Sequence, residues 1–453
     1  MIPETGSAGT VGSPSEQGEQ GEQGRHSGRP GRMRWGIAGV LGVGAFVNYI
    51  DRVNLSIAAP EIMREFRIGA TEMGLLASAF LWTYAVLQVP IGSIIDRIGA
   101  RWVNRAAAAI WAVASFVTAL AGGTGVLLVS RLLLGIGESP TVPAAWSAIG
   151  QWFPRHQRGT ATAIFDGCAK LSNVIGIPIM ALLVTLFGWR SAFVFTGVLS
   201  IAYLVVWWVC YLTPKRAVAA ARLSPAEYEE IRSGGADDED AAGAGSLTGL
   251  GYLFRRRKTW GLALGYASYT YAYYVLLTWL PGYLEKQFHL RLLTGGFYAM
   301  IPWLVAVIAQ FLVSSLVMDR IIARTGDQTR ARRVVLVLSM SLSLAVVGAA
   351  YAPTVASAVA FLSIGAAGLA VSVPAGASIV GLIAPEGYSG SLGGIVNFVA
   401  NGFGIAAPVV TGMVVDATGS FAGAFLLTGV VLLGGIVCYT VVLGRIERMG
   451  EPR

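Results

Sequence analysis

Charge is scarce in this sequence. Only 13% of its 453 residues are Asp, Glu, Lys or Arg, about half of the ~25% usual in a soluble domain. So few charges cannot cover a water-exposed surface, and an ordinary globular domain is excluded. Cysteine is rare as well: Cys168, Cys210 and Cys438 all fall within apolar runs, which gives neither a disulfide framework nor a metal cluster. The three histidines (His26, His156, His289) lie outside those runs, and no nucleophile–base pair accompanies them, so nothing points to an enzyme. The chain has no G-x-x-x-x-G-K-[ST] loop to cradle ATP phosphates. Any work it does must draw on a gradient, and no cofactor or metal is expected.

What the chain does have is hydrophobic residues, 55% of the total, gathered into runs of the ~20 residues that cross a bilayer as a helix. The expected spans are 35–57, 72–95, 102–122, 124–150, 159–187, 191–213, 259–284, 295–318, 331–351, 354–383, 388–416 and 421–444. The alternating dyads of a membrane barrel are missing, so the spans are helices. The expectation is an all-α membrane protein with twelve transmembrane helices in two six-helix halves. Its divisions are a disordered cytoplasmic tail (1–33), an N-terminal half (34–213), a polar central loop (214–258), a C-terminal half (259–445) and a short cytoplasmic tail (446–453). The first tail is rich in Gly, Ser, Gln and Glu and has no apolar core, so it is not read as a signal peptide.

Basic residues set the orientation. Of the 33 Lys and Arg, five fall in loops on one side (Arg64, Arg67, Arg190, Lys286, Arg291) and three inside predicted helices (Arg52, Arg131, Lys170). The remaining 25 fall on the side that holds both termini. By the positive-inside bias that side is the cytoplasm, and the expected location is the plasma (inner) membrane. The Arg255–Lys258 run reads as a juxtamembrane anchor to anionic lipid headgroups, and no nucleic acid is expected.

Between spans two and three runs Gly92-Ser-Ile-Ile-Asp96-Arg97-Ile-Gly99-Ala-Arg101. The glycines would let helix ends approach, and Asp96, Arg97 and Arg101 would form a charged latch acting as a conformational gate. A degenerate copy follows span eight, with Met318, Asp319, Arg320, Arg324, Gly326 and Arg332, as expected of two related halves. The spacing resembles the signature loop of the major facilitator superfamily. Within it, Asn48-Tyr-Ile-Asp51-Arg52-Val-Asn54-Leu-Ser is similar to a span-one signature of the anion–cation symporter family. Arg131-Leu-Leu-Leu-Gly135-Ile-Gly-Glu138-Ser-Pro140 and Leu277-Thr-Trp279-Leu-Pro281-Gly-Tyr283-Leu resemble its span-four and span-seven signatures. The resemblance covers roughly residues 35–445. It implies carriage of carboxylates such as sugar acids, aromatic acids or amino-acid-derived anions, commonly with protons; a metazoan branch moves sialic acid and glutamate.

The residues themselves lead to a similar place. A charge at mid-membrane costs ~2.5–3.5 kcal/mol on insertion scales and persists only beside a partner or cavity. Asp51, Arg52, Arg131, Glu138, Asp166 and Lys170 are such charges, all in the first half. Arg52 shares a helix face with Tyr49, while Asp51 points roughly 100° away. The planar guanidinium suits a carboxylate, so Arg52 is the expected grip on substrate; the alternative is a structural pair with Glu138 or Asp51. Asp51, Glu138 and Arg131 are the expected proton-coupling set, with a merely snorkelling Arg131 as the alternative. Lys170 departs from the family, in which a small or amide residue usually falls. It is either a second cation for a substrate with two acidic groups or an ion-pair partner of Asp166, four residues earlier. Tyr84, Gln88 and Asn397 complete the expected substrate contacts. Asn401 shares the face of Asn397, and Tyr266, Tyr269, Tyr273, Tyr274 and Trp279 are expected to wall the cavity. The partners are then a small organic anion, protons and the lipid bilayer, for a carrier expected to function as a monomer. The rival is a proton antiporter exporting a drug or neutral solute, but span five lacks the full G-x(8)-G-x(3)-G-P pattern of many such exporters.

Overall fold

A computed structural model describes residues 32–237, 250–312, 328–385 and 388–450. No strand occurs among the described residues. The first half holds α1 (Met33–Phe66), α2 (Ala70–Ile98), α3 (Ala100–Ala119), α4 (Thr124–Glu138), α5 (Thr141–Trp152), α6 (Arg158–Phe187) and α7 (Trp189–Cys210). Short helices α8 (Pro214–Ala219), α9 (Pro225–Ser233) and α10 (Leu250–Phe254) follow. The second half holds α11 (Arg257–Phe288), α12 (Leu292–Leu312), α13 (Gln328–Ser343), α14 (Val355–Ile383), α15 (Ser389–Thr418) and α16 (Ala422–Val437). A 3₁₀ segment, Leu344–Tyr351, prolongs α13, and a π turn, Cys438–Val442, prolongs α16.

Ten segments among the described residues are long and apolar enough to cross a membrane. Two further long helices, α3 and α11, complete the set of expected spans. One span differs from expectation: 124–150 is interrupted between α4 and α5 at Ser139-Pro140. Pro140 and Pro143 have no N–H to give the helical ladder, and a proline ring crowds the preceding turn. The interruption leaves Glu138 as the last residue of α4, deep in the bundle.

The two halves repeat one packing scheme. α1 packs on α6 as α11 packs on α15, and α2 packs on α4 as α12 packs on α14. The halves meet through α1 with α11, α2 with α15 and α6 with α12. These pairings are exchanged by a two-fold axis, as for parallel repeats in a carrier. One end of the bundle, here the terminal face, holds the start of α1, the linker helices and residue 450. The other end is the far face.

The far face is drawn tight between α2 and α15. A Cβ added at Gly74 would collide with the backbone of Pro408 and Val409, and one at Gly412 with that of Ala70. Only glycine allows helix backbones this close. Asp416, near the end of α15, accepts bonds from the amides of Ala70 (2.9 Å) and Thr71 (2.8 Å) and from the Thr71 hydroxyl (2.5 Å). An anion there also complements the positive N-terminal end of α2. At the terminal face the described part of the central loop is docked on the first half. Arg34 pairs with Glu230 at 2.7 Å, Arg158 with Asp237 at 2.9 Å, and buried Glu227 accepts from the Arg34 amide.

Candidate functional site

Three cavities lie in file along the α1–α11 seam. The outermost, about 630 Å³, opens at the far face among Arg64, Glu285, Lys286, His289 and Asp416. A void of about 20 Å³ beneath it shares Ser56 and Thr278 with the outer cavity, and shares Arg52 and Tyr274 with a central cavity of about 370 Å³. The central cavity is the candidate site although the outer one is larger. It lies mid-helix and gathers two cations of the first half, whereas the outer one is walled mainly by helix ends. Its volume falls within the ~300–1,000 Å³ of typical ligand pockets. It widens toward the terminal face: along one side of α6, Asn173 is 2% exposed, the Lys170 side chain 27% and the Asp166 side chain 54%.

Arg52 reaches the cavity wall from the middle of α1. Its Nε donates to Glu138 Oε2 at 2.8 Å and its Nη2 to Asn48 Oδ1 at 3.4 Å. The guanidinium carbon lies 4.6 Å from the Tyr49 ring centroid and 5.2 Å from those of Phe80 and Tyr84. One carboxylate and three aromatic faces, each worth ~0.5–2 kcal/mol, offset the cost of burying this charge. The structural pairing with Glu138 is therefore present. It occupies the Nε side of the fork, and Nη1 has no hydrogen-bond partner among the described residues.

The trio expected to couple protons divides between two places. Glu138, fully buried, touches Arg52. Asp51 points instead between α3 and α7. There it accepts from Ser115 at 3.1 Å and lies within electrostatic reach of Arg131. Arg131 donates to Thr118 at 3.0 Å and sits 5.4 Å from the Phe193 ring, so it is a buried partner and not a snorkelling one. Neither Asp51 nor Arg131 lines the central cavity.

Lys170 lines the cavity with its Nζ 3.8 Å from Asp166. Tyr49, Tyr84, Gln88 and Asn397 line it too. Asn397 donates to Gln88 at 2.6 Å across the halves, and Asn401 donates to Asn397 at 3.4 Å. Tyr266, Tyr269, Tyr273 and Tyr274 form the aromatic wall, with successive ring centroids 5.5, 5.9 and 5.5 Å apart. Trp279 does not join them. It turns to the far face and donates to the Pro408 carbonyl at 3.2 Å. Asn173 and Trp303 belong to the site but were not singled out from the sequence. Asn173 had a legible signal, since it follows Lys170 by three residues and Asp166 by seven on one helix face. Trp303, 5.4 Å from Tyr273, had none.

Of the expected latch, two side chains are described. Arg97 is exposed, and Arg101 lies against the Trp102 ring at 5.6 Å. The side chain of Asp96 lies outside the described residues, as do Met318, Asp319, Arg320, Arg324 and Gly326 of the second copy. Among the described residues a Cβ at Gly92 or Gly99 would meet nothing within 4 Å, and Gly99 turns the chain at φ 86°, a conformation open mainly to glycine.

Residues 41–326 match the Major Facilitator Superfamily. The chain is 36% identical to the uncharacterized transporter YybO of Bacillus subtilis, over 92% of this chain and 95% of that protein. It is 30% identical to the probable galactarate/D-glucarate transporter GudP of Bacillus subtilis (92% and 93% covered). It is 32% identical to the probable sulfoacetate transporter SauU of Cupriavidus necator (88% and 92%). In fold it is similar to an inward-facing, unoccupied crystal structure of a bacterial homolog of the human lysosomal transporter Spinster. That likeness has a TM-score of 0.73 at 18% identity and covers 92% of this chain and 98% of that one. The repeated packing of the two halves, the cavity on the seam between them and the relatives matched over most of their length lead to one conclusion: this chain is a multi-pass membrane transporter and belongs to the Major Facilitator Superfamily.

Proposed function

We propose that the protein moves a small organic anion, a sugar acid or related carboxylate, together with protons by alternating access. Both termini would lie in the cytoplasm, so the central cavity would open inward. The observation that carries this reading is Arg52, a buried guanidinium on the cavity wall with one end of its fork free. Tyrosine and amide groups around it suit the hydroxyls of a sugar acid. Relatives named for galactarate, glucarate and sulfoacetate transport support an anionic substrate.

Charge balance supplies the coupling. With Glu138 ionised, the Arg52–Glu138 pair is neutral. A bound carboxylate adds one negative charge in a poorly solvated site, where an uncompensated charge is expensive. A proton taken by Glu138 restores neutrality, so substrate and proton would bind together. Asp51, buried beside Arg131, would serve as a second relay out of substrate contact.

Counterflow in proteoliposomes tests the reading. Labelled sugar acid should exchange against unlabelled sugar acid. Losing a charged hydrogen bond costs ~1.5–3 kcal/mol, so Arg52→Gln should weaken exchange by roughly 10- to 100-fold. Counterflow of neutral or cationic drugs, with sugar acids inert, would replace this reading with the exporter.

A further inference from the structure

The cavity contains a second cation–carboxylate pair that a single carboxylate does not need. Asp166, Lys170 and Asn173 share one face of α6, and all three line the cavity. The Lys170 Nζ to Asp166 distance of 3.8 Å is too long for a hydrogen bond, and Lys170 makes none among the described residues. Both side chains are partly solvated, so holding them together is worth little, ~0–1 kcal/mol. A cation held this loosely is easily surrendered to a better partner. It also sits where the cavity receives a ligand, with buried Asn173 one turn deeper.

Resting on the reading of Arg52 as the substrate grip, we propose that Lys170 binds a second acidic group and that the preferred substrate is a dianion. The two pairs run in parallel: empty, Arg52–Glu138 and Lys170–Asp166 each set a cation against a carboxylate. A monoanion meets one of the two cations, at Arg52. A dianion meets both. Its first acid takes the free end of the Arg52 fork, and its second draws the Lys170 ammonium from Asp166, which stays solvated at the open end of the cavity.

The test uses purified full-length protein in proteoliposomes, with a six-carbon sugar monoacid and the diacid of the same length. The diacid should bind about tenfold or more tighter, the worth of one charge-assisted contact. In Asp166→Asn/Lys170→Gln, the ratio of diacid to monoacid affinity should fall about tenfold, and retained monoacid binding shows that the variant is folded. Lys170→Arg, which keeps the cation, should preserve the preference. A diacid bound no more tightly than the monoacid by the unaltered protein, or an unchanged affinity ratio in the double variant, overturns the proposal. Failure of the unaltered protein to exchange either acid would instead overturn the reading of Arg52.

Discussion

α1 and α6 in the first half are matched by α11 and α15 in the second, and the remaining helices follow the same scheme. The side chains on that scheme differ. Every described charge at mid-helix depth belongs to the first half, and each ion pair there closes within it: Arg52 with Glu138, and Lys170 with Asp166. Across the cavity the second half offers four tyrosines, Trp303, Asn397 and Asn401. Among the described residues the ties that cross between halves include a neutral amide bond, Asn397 to Gln88, and the seat of α2 on Asp416. The halves can therefore rock apart without pulling a buried cation from its carboxylate. That separation would cost several kcal/mol per ion. In the proposed cycle one half holds the chemistry, and the other shapes and covers it.

Substitutions can break this comparison, and the largest effect is expected at Arg52. Arg52→Ala leaves Glu138 buried without its partner, a loss of ~3–5 kcal/mol. It should abolish both counterflow and uptake and lower the melting temperature. Replacing any one of the second-half polar groups should do neither. Next comes Gly412→Leu, whose side chain has no room against Ala70. The far face should then fail to close. An impermeant maleimide added at that face should label Ser56→Cys severalfold faster in this background. Asp416→Asn should shift labelling the same way but less, because only part of the α2 seat is weakened. The smallest effect is expected at Asn397→Ala. Loss of one neutral hydrogen bond, ~0.5–1.5 kcal/mol, should raise KM about two- to tenfold with little change in kcat. If Asn397→Ala were as damaging as Arg52→Ala, the division of labour between halves would be wrong.

Much of the first half could be read from the sequence, because helical spacing is a local rule. Tyr49 and Arg52 sit three apart and both reach the cavity, while Asp51 turns away between α3 and α7. Asp166 and Lys170 sit four apart and pair. Tertiary choices were not legible in this way. Arg52 could have paired with Asp51 or Glu138, and the packing of the bundle sets Glu138, the last residue of α4, against it. Trp279 carries the same aromatic signal as Tyr273, but Pro408 offers it a carbonyl toward the far face. The tight seam at Gly74 and Gly412 depends on residues more than 300 positions apart meeting in space.

In the proposed cycle the first half couples proton to anion through Glu138 while Arg52 holds the substrate. The most direct measurement compares two assays on Glu138→Gln in proteoliposomes: substrate exchange at equal pH, and accumulation driven by an imposed inward proton gradient. The glutamine imitates the protonated acid, so exchange should persist while accumulation is lost. Normal gradient-driven accumulation by this variant would contradict the account, as would sodium-dependent uptake at fixed pH in the unaltered protein.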